Sequence, residues 1–219
     1  DTAKVGSNVR LIVTASVGGI SRSVQTLLAS TGLVDKAVYT TQDVFNVSAK
    51  DSLGNVDDDL KVSLADSIPS IDLPALYALS TVQENDESGT FQPNNGYPNG
   101  SFYRPDGVTP NVTHCSGNLR VRGNRTVWGI FVVEGWVRID GNAQVNGIIY
   151  VVNDNTTTIH GGGNPSTPSI LGGIVSNGDI MGTGNHVYAQ HWPEFMRVFC
   201  GFMRFPDGSG YQIVSWEYL

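Results

Sequence analysis

The sequence predicts a mainly β chain organised as a parallel β-helix (a solenoid of short strands), with an N-terminal β-hairpin, one short helix and an aromatic C-terminal cap. Two interleaved repeats carry this. Short apolar strands open on a Gly-Ile pair at Gly129-Ile130 (WGIFVVEG), Gly147-Ile148 (NGIIYVVND) and Gly173-Ile174 (GGIVSNGD), at intervals of 18 and 26 residues. Gly-Asn pairs fall between them at Gly123-Asn124, Gly141-Asn142, Gly163-Asn164 and Gly184-Asn185, at intervals of 18, 22 and 21. A period near 20 residues made of short strands and Gly/Asn corners is the pattern of a stacked solenoid, in which one coil cannot bury its apolar side chains alone. Corners favour Gly and Asn because these tolerate left-handed backbone angles. Composition agrees: 26 of 219 residues are glycine, well above the usual ~7%. An antiparallel sandwich with chance glycine spacing is the competing reading.

The elements follow in order. Asn8–Val17 and Ser21–Ala29 flank Gly18-Gly19 as a hairpin. A third strand is expected at Ala37–Thr41, and Asp43–Ser48 alternates apolar and polar residues. Asp51–Asp59 is an acidic turn. Asp72 as N-cap and Pro74 in the first turn open a helix over Ala75–Val82. Gln83–Pro110 is rich in Gly, Pro and Asn and reads as a surface loop. The stretch His191–Leu219 is dense in aromatics. It reads as a helical segment, a turn at Pro206-Asp207-Gly208 and a last strand at Tyr211–Trp216, together covering the stack. The organisation expected is therefore strands leading into the solenoid over 1–50, the acidic turn, helix and loop over 51–116, coils over 117–190, and a cap over 191–219. The stacked interior is expected to hold Val121, Ile130, Val137, Ile139, Val145, Ile148, Tyr150 or Val151, and Ile174.

Lys and Arg number 13 against 20 Asp and Glu, a net charge of −7. No basic excess exists to neutralise phosphates, which excludes a nucleic-acid module of that kind. No run of 18 apolar residues occurs, and no leader is visible at Asp1, so any such segment is expected to be removed or to lie upstream. Cys115 and Cys200 are the two cysteines. They are expected to pair as a disulfide tying the cap to the first coil, with two free buried thiols as the alternative.

Several side chains are of types that carry chemistry. Glu134, Asp154 and Asp179 each follow a Gly-Ile strand and would line one corner, as the carboxylate pair of a glycosidase requires. Asp154 and Asp179 also sit in ordinary turn sequences, and no basic cluster is evident beside them to hold an acidic glycan. His114, His160, His186 and His191 lack metal-ligand spacing. Asp57, Asp58 and Asp59, with Asp51 and Asn55, offer hard oxygens to calcium but not in an EF-hand pattern. Asn46, Asn99, Asn111, Asn124 and Asn155 stand in glycosylation sequons. No cofactor and no catalytic residue is expected.

The run from GNLRVRGN through GNHVYAQH resembles the C-terminal domain of PilX-like minor pilins of bacterial type IV pili. ASVGGISRSV (Ala15–Val24), IPSIDLPAL (Ile68–Leu76) and QIVSWEYL (Gln212–Leu219) resemble segments that flank the coils in that family. The resemblance implies the exposed globular domain of an extracellular, cell-surface filament subunit, structural and adhesive, and not an enzyme. Its partners would be other pilin subunits, and surface glycans as a target. Family members also carry a cleaved leader and a long apolar membrane helix. That helix is not in this sequence, so it is expected either to have been trimmed or to be supplied by another chain. Adhesion is expected from the loops Gln83–Pro110 and Asn153–Ser169. A carbohydrate-active or carbohydrate-binding β-helix is the alternative.

Overall fold

Two kinds of strand sequence recur, and each forms its own parallel sheet. Runs such as TVWGIFVV are continuously apolar, while NLRVRG and VRIDG alternate. In the computed structural model, which describes residues 2–5, 8–17, 20–29, 33–83, 89–162, 165–203 and 212–218, the elements run as follows. The chain opens with β1 (Thr2–Val5), β2 (Asn8–Val17) and β3 (Ile20–Ala29), then β4 (Val38–Thr40), β5 (Val44–Phe45), β6 (Ser48–Lys50) and β7 (Lys61–Val62). Helix α1 (Leu73–Leu79) leads to β8 (Ser80–Gln83), β9 (Thr90–Phe91), β10 (Val112–Cys115), β11 (Asn118–Gly123), β12 (Thr126–Val133) and β13 (Val137–Gly141). Next come β14 (Gln144–Val151), β15 (Thr157–Gly162), β16 (Ile170–Ser176), β17 (Ile180–Asn185), β18 (Tyr188–His191), helix α2 (Pro193–Cys200) and β19 (Gln212–Tyr218).

The chain is mainly β with parallel sheets. The first sheet has the order β6-β18-β16-β14-β12-β10-β8, with β4 beside β16 and β7 beside β4. The second has the order β5-β17-β15-β13-β11-β9. From β8 to β18 successive strands alternate between them. The strands that open on Gly129 and Gly147 lie parallel and in register, Ile130 beside Ile148.

The two sheets share one apolar core. Val127, Phe131, Val133, Val145, Ile149, Val151 and Ile174 from the first meet Leu119, Val121, Val137, Ile139, Ile159 and Ile180 from the second. The first sheet's other face is covered too: Ile130, Val132, Ile148 and Tyr150 pack with Leu76 of α1 and with Phe195, Met196 and Phe199 of α2. A parallel sheet buried on both faces reads as a continuous apolar run, and one buried on a single face alternates. All the expected interior residues are buried, but Ile130, Ile148 and Tyr150 belong to the helix-covered face and not to the shared core. Val151, not Tyr150, faces inward.

Close backbone approach explains the glycine ladder. Gly129, Gly147 and Gly172 stack across β12, β14 and β16. A Cβ on Gly147 would lie 1.9 Å from the Gly129 carbonyl oxygen, and one on Gly172 would lie 2.1 Å from that of Gly147. The third member is thus Gly172 and not the expected Gly173. That one-residue shift turns Ile174 onto the inner face, beside Ile149. Gly173 instead faces α2, where a Cβ would meet the Met196 sulfur at 2.6 Å. The corner series is Gly123, Gly141, Gly161 and Gly184, and the expected Gly163-Asn164 lies outside the described residues, as do Gly18-Gly19 and Pro206-Asp207-Gly208.

Long-range pairing departs from the expected order at both ends. Residues 38–50 do not lead into the first repeated strands. β4, β5 and β6 pair with β16, β17 and β18, at the far end from β8 and β9. There they cover edges that would otherwise be open. The last strand, β19, joins the hairpin β2–β3 in a separate antiparallel sheet of order β1-β2-β3-β19, while α2 and its flanking residues Trp192, Phe202 and Met203 pack in the cluster on the first sheet's outer face. Helix α1 is capped as expected, with Asp72 accepting from the Ala75 N–H at 3.1 Å. It stops at Leu79 because Ser80–Gln83 pairs with β10. The expected surface loop is stitched to β12: the Trp128 N–H donates to the Tyr97 carbonyl and the Gly96 N–H to that of Thr126. Among the described residues, no helix is long and apolar enough to cross a membrane.

Candidate functional site

Among the described residues no helix packs on the second sheet's outer face, and strand alternation decides what it shows. Val121, Val137 and Ile139 point into the core, so Arg120, Arg122, Arg138 and Asp140 point out. Register sets Arg120 beside Arg138, and Asp140 between Arg122 and His160. Two arginines side by side repel, and Asp140 answers that repulsion. Its Oδ2 accepts from Arg120 Nε at 2.7 Å and its Oδ1 from Arg138 Nε at 2.7 Å. His160 Nε2 stands 3.9 Å from Oδ1, and its Nδ1 is 2.5 Å from the Thr183 hydroxyl. Burial raises the Asp140 pKa, but the hydrogen bonds and charges of Arg138 and Arg120 outweigh it and hold the carboxyl below its ordinary value. Arg122 is exposed and forms no ion pair among the described residues. Trp136, one residue before β13 and on the side away from buried Val137, is 37% exposed. This face therefore carries three guanidiniums, one carboxylate, an imidazole and an open indole. None of these except His160 was singled out from the sequence. The signal lay in two alternating runs, LRVRG and VRIDG, read together with the 18-residue register that stacks them.

The turns of the expected carboxylate corner do stack, a Cβ on Gly178 meeting the Asn155 carbonyl oxygen at 2.3 Å, but Glu134 and Asp179 turn their carboxylates to other partners. Glu134 Oε1 lies 2.8 Å from His114 Nε2 and accepts from the Tyr77 hydroxyl at 3.4 Å. The Tyr77 and His114 rings are 4.3 Å apart. Asn153 and Asn155 both donate to the Glu134 carbonyl at 2.9 Å. Burial, then the charge of Glu134, raises the Tyr77 pKa. Glu134 thus joins α1, β10 and the turn after β14. Asp154 is exposed on that turn. Asp179 Oδ1 accepts the Asp43 N–H at 3.2 Å and its carbonyl accepts the Thr157 N–H, which is the work of a turn residue.

The other candidates are dispersed as well. Asp57 accepts the Asp59 N–H, Asp58 pairs with Lys61 at 3.1 Å, and Asp51 holds Asn55 and Leu53. Among the described residues, no group of three or more His, Cys, Asp or Glu side chains converges as metal ligands. His191 is buried on β18. His186 and Asn46, both with left-handed backbone (φ 58° and 52°), line an open cleft of about 500 Å³ with Lys50 and Tyr188. Lys50 Nζ sits 3.7 Å above the Tyr188 ring. Of the sequon residues, Asn111 is only 8% exposed. Its amide donates to Asn99 Oδ1 and to the Ser101 and Tyr103 carbonyls, which leaves no room for a glycan there.

The expected Cys115–Cys200 disulfide is not formed; both are free thiols. Cys115 belongs to the shared core and Cys200, on α2, packs against the helix-covered face. The first sheet separates the two clusters. Burial pushes the pKa of each up to about 12, with the charge of Asp35 a smaller contribution at Cys200. Compared with known proteins, the chain matches no family model, no curated protein and no solved structure.

Proposed function

We propose that this chain is the exposed globular domain of a type IV pilus-like filament subunit, extracellular, structural and adhesive, without catalysis. The finer architecture proposed with it is a parallel β-helix, whose coils are the successive strand pairs from β8 to β18. The observation that carries the reading is the order of motifs shared with PilX-like minor pilins from Ala15 to Leu219. The alternation of parallel strands between two sheets supports the coil assignment. The engagement of Glu134 by His114 and of Asp179 by the Asp43 N–H favours a structural domain over a glycosidase, which needs two carboxylates flanking one cleft. The partners proposed are other pilin subunits, with membrane attachment through an apolar helix upstream or on a second chain. The test is to shear surface filaments from the source cells and probe them with antibody to this chain. Co-purification with the filament supports the assignment. Recovery only from the soluble or cytoplasmic fraction, with no prepilin-type leader in the upstream coding sequence or in a neighbouring gene, overturns it.

A further inference from the structure

We propose that the outer face of the second sheet binds an acidic, carboxylate-bearing glycan, across Trp136, Arg138, Arg120 and Arg122. The proposal deepens the adhesive reading above, on which it rests, and moves the contact from the loops to the sheet. Charge is the first argument. In a chain of net −7, this face gathers three arginines around one carboxylate. Asp140 neutralises one positive charge, which leaves an excess of two. Geometry is the second. Arg120 and Arg138 are held side by side through Asp140 at 2.7 Å, so their forks are oriented before any ligand arrives. Both side chains still reach solvent, 33% and 42% exposed. Asp140 itself demonstrates the carboxylate pairing these guanidiniums favour. Arg122, exposed and without an ion pair among the described residues, adds a third anion contact one pleat along. The third argument is the indole. Trp136 precedes β13 on the same side as Arg138 and is 37% exposed. An open aromatic face beside an arginine fork suits the apolar face of a sugar ring whose carboxylate reaches the guanidinium. A free phosphate has no use for the indole. A nucleic acid has one, through base stacking, but its backbone asks for many cations, and the excess here is small.

The test is calorimetric titration of the intact chain with polygalacturonate, beside neutral dextran and single-stranded oligothymidylate. Saturable binding of polygalacturonate is expected, with no binding of dextran. Kd should rise by about tenfold or more in Arg122→Gln and in Trp136→Ala, with melting temperatures unchanged because both residues lie outside the cores. Absence of saturable binding, or an affinity unmoved in both variants, overturns the site. Oligothymidylate bound as tightly as polygalacturonate overturns it in favour of a single-stranded nucleic acid. Concentration-dependent dimers abolished by Arg122→Gln overturn it in favour of a second copy of this acidic chain. The filament assay stands apart from these readings. A chain found in filaments that ignores polygalacturonate loses only the glycan site, and one that binds it but is absent from filaments loses only the filament assignment.

Discussion

The two parallel sheets share a core and differ in what lies on their outer faces. The first is sealed by α1 and α2, with the Phe102 and Phe195 rings stacked at 4.1 Å and Tyr150 against Phe199 at 5.7 Å. The second has arginines, an aspartate and a histidine facing water. One sheet is therefore committed to stability on both faces, and the other has a free face on which residues are constrained only by their neighbours. The difference separates the roles of the two strand types. Substitutions in β12 or β14 should act on folding, while those on the outer side of β11 or β13 should act on what the domain touches.

The largest effect that would break this contrast is expected in the first sheet. Phe131, fully buried in the shared core, should cost about 3–5 kcal/mol as Phe131→Ala, and Ile148→Ala on the helix-covered face roughly 2–5 kcal/mol. Denaturant titration measures both. If either variant melts within a degree of the parent, the double burial of this sheet is wrong.

A smaller loss is expected where the Gly/Pro-rich segment meets β12. Pro93 is buried, and Tyr97 packs on Phe91 at 5.2 Å between ring centroids. Arg125 Nη1 donates to the Pro93 carbonyl at 2.9 Å. Removing Gln92–Pro98 should therefore lower stability by about 2 kcal/mol, on the scale of one large buried side chain, rather than leave it unchanged as a free surface loop would. An unshifted melting curve would restore the loop reading.

Local pattern made much of this legible, and topology did not. The Gly-Ile runs and Gly-Asn corners betray strands because backbone contact at Gly147 admits no side chain. The pattern slipped by one at Gly172-Gly173 and by two at Gly161-Gly162-Gly163, where adjacent glycines leave the register undetermined and only partner strands fix it. Nothing local in VYT, VF or SAK says that β4, β5 and β6 pair with strands more than a hundred residues away. The arginine face was readable in principle. It was missed because Arg120, Arg122 and Arg138 acquire meaning only when alternation and the 18-residue register are combined.

On the open face, Asp140→Asn should cost about 1 kcal/mol, the scale of a partly screened ion pair, since it leaves Arg120 and Arg138 unshielded from one another. The pH dependence follows in sign. A carboxyl whose folded pKa lies below its unfolded value near ~3.9 stabilises the fold above that pH and loses the contribution as pH falls through the folded value. The parent should therefore lose stability more steeply than Asp140→Asn below about pH 4. Parallel acid curves for the two proteins would remove Asp140 from the account.

The smallest effect expected is none at all, and it sharpens the contrast between the two faces of the first sheet. Cys115 lies in the shared core and Cys200 on α2, against the sheet's other face, so no bond links them and a reductant should leave the melting temperature unmoved. Intact mass should not change on reduction. Alkylation at pH 8 should be slow in the folded chain and complete for both thiols in denaturant, because burial has raised each pKa to about 12 and the thiolate is the reactive form. An acid raised in this way stabilises the fold below its unfolded pKa near ~8.5 and loses that contribution as pH climbs toward the folded value, so alkali above about pH 9 should weaken the parent more than a Cys115→Ala, Cys200→Ala double variant. Protein produced in an oxidising compartment is the stringent sample. A mass gain of about two protons on reduction there would mean that the chain bridges its two cores covalently, and the first sheet could not then separate Cys115 from Cys200 as it does here.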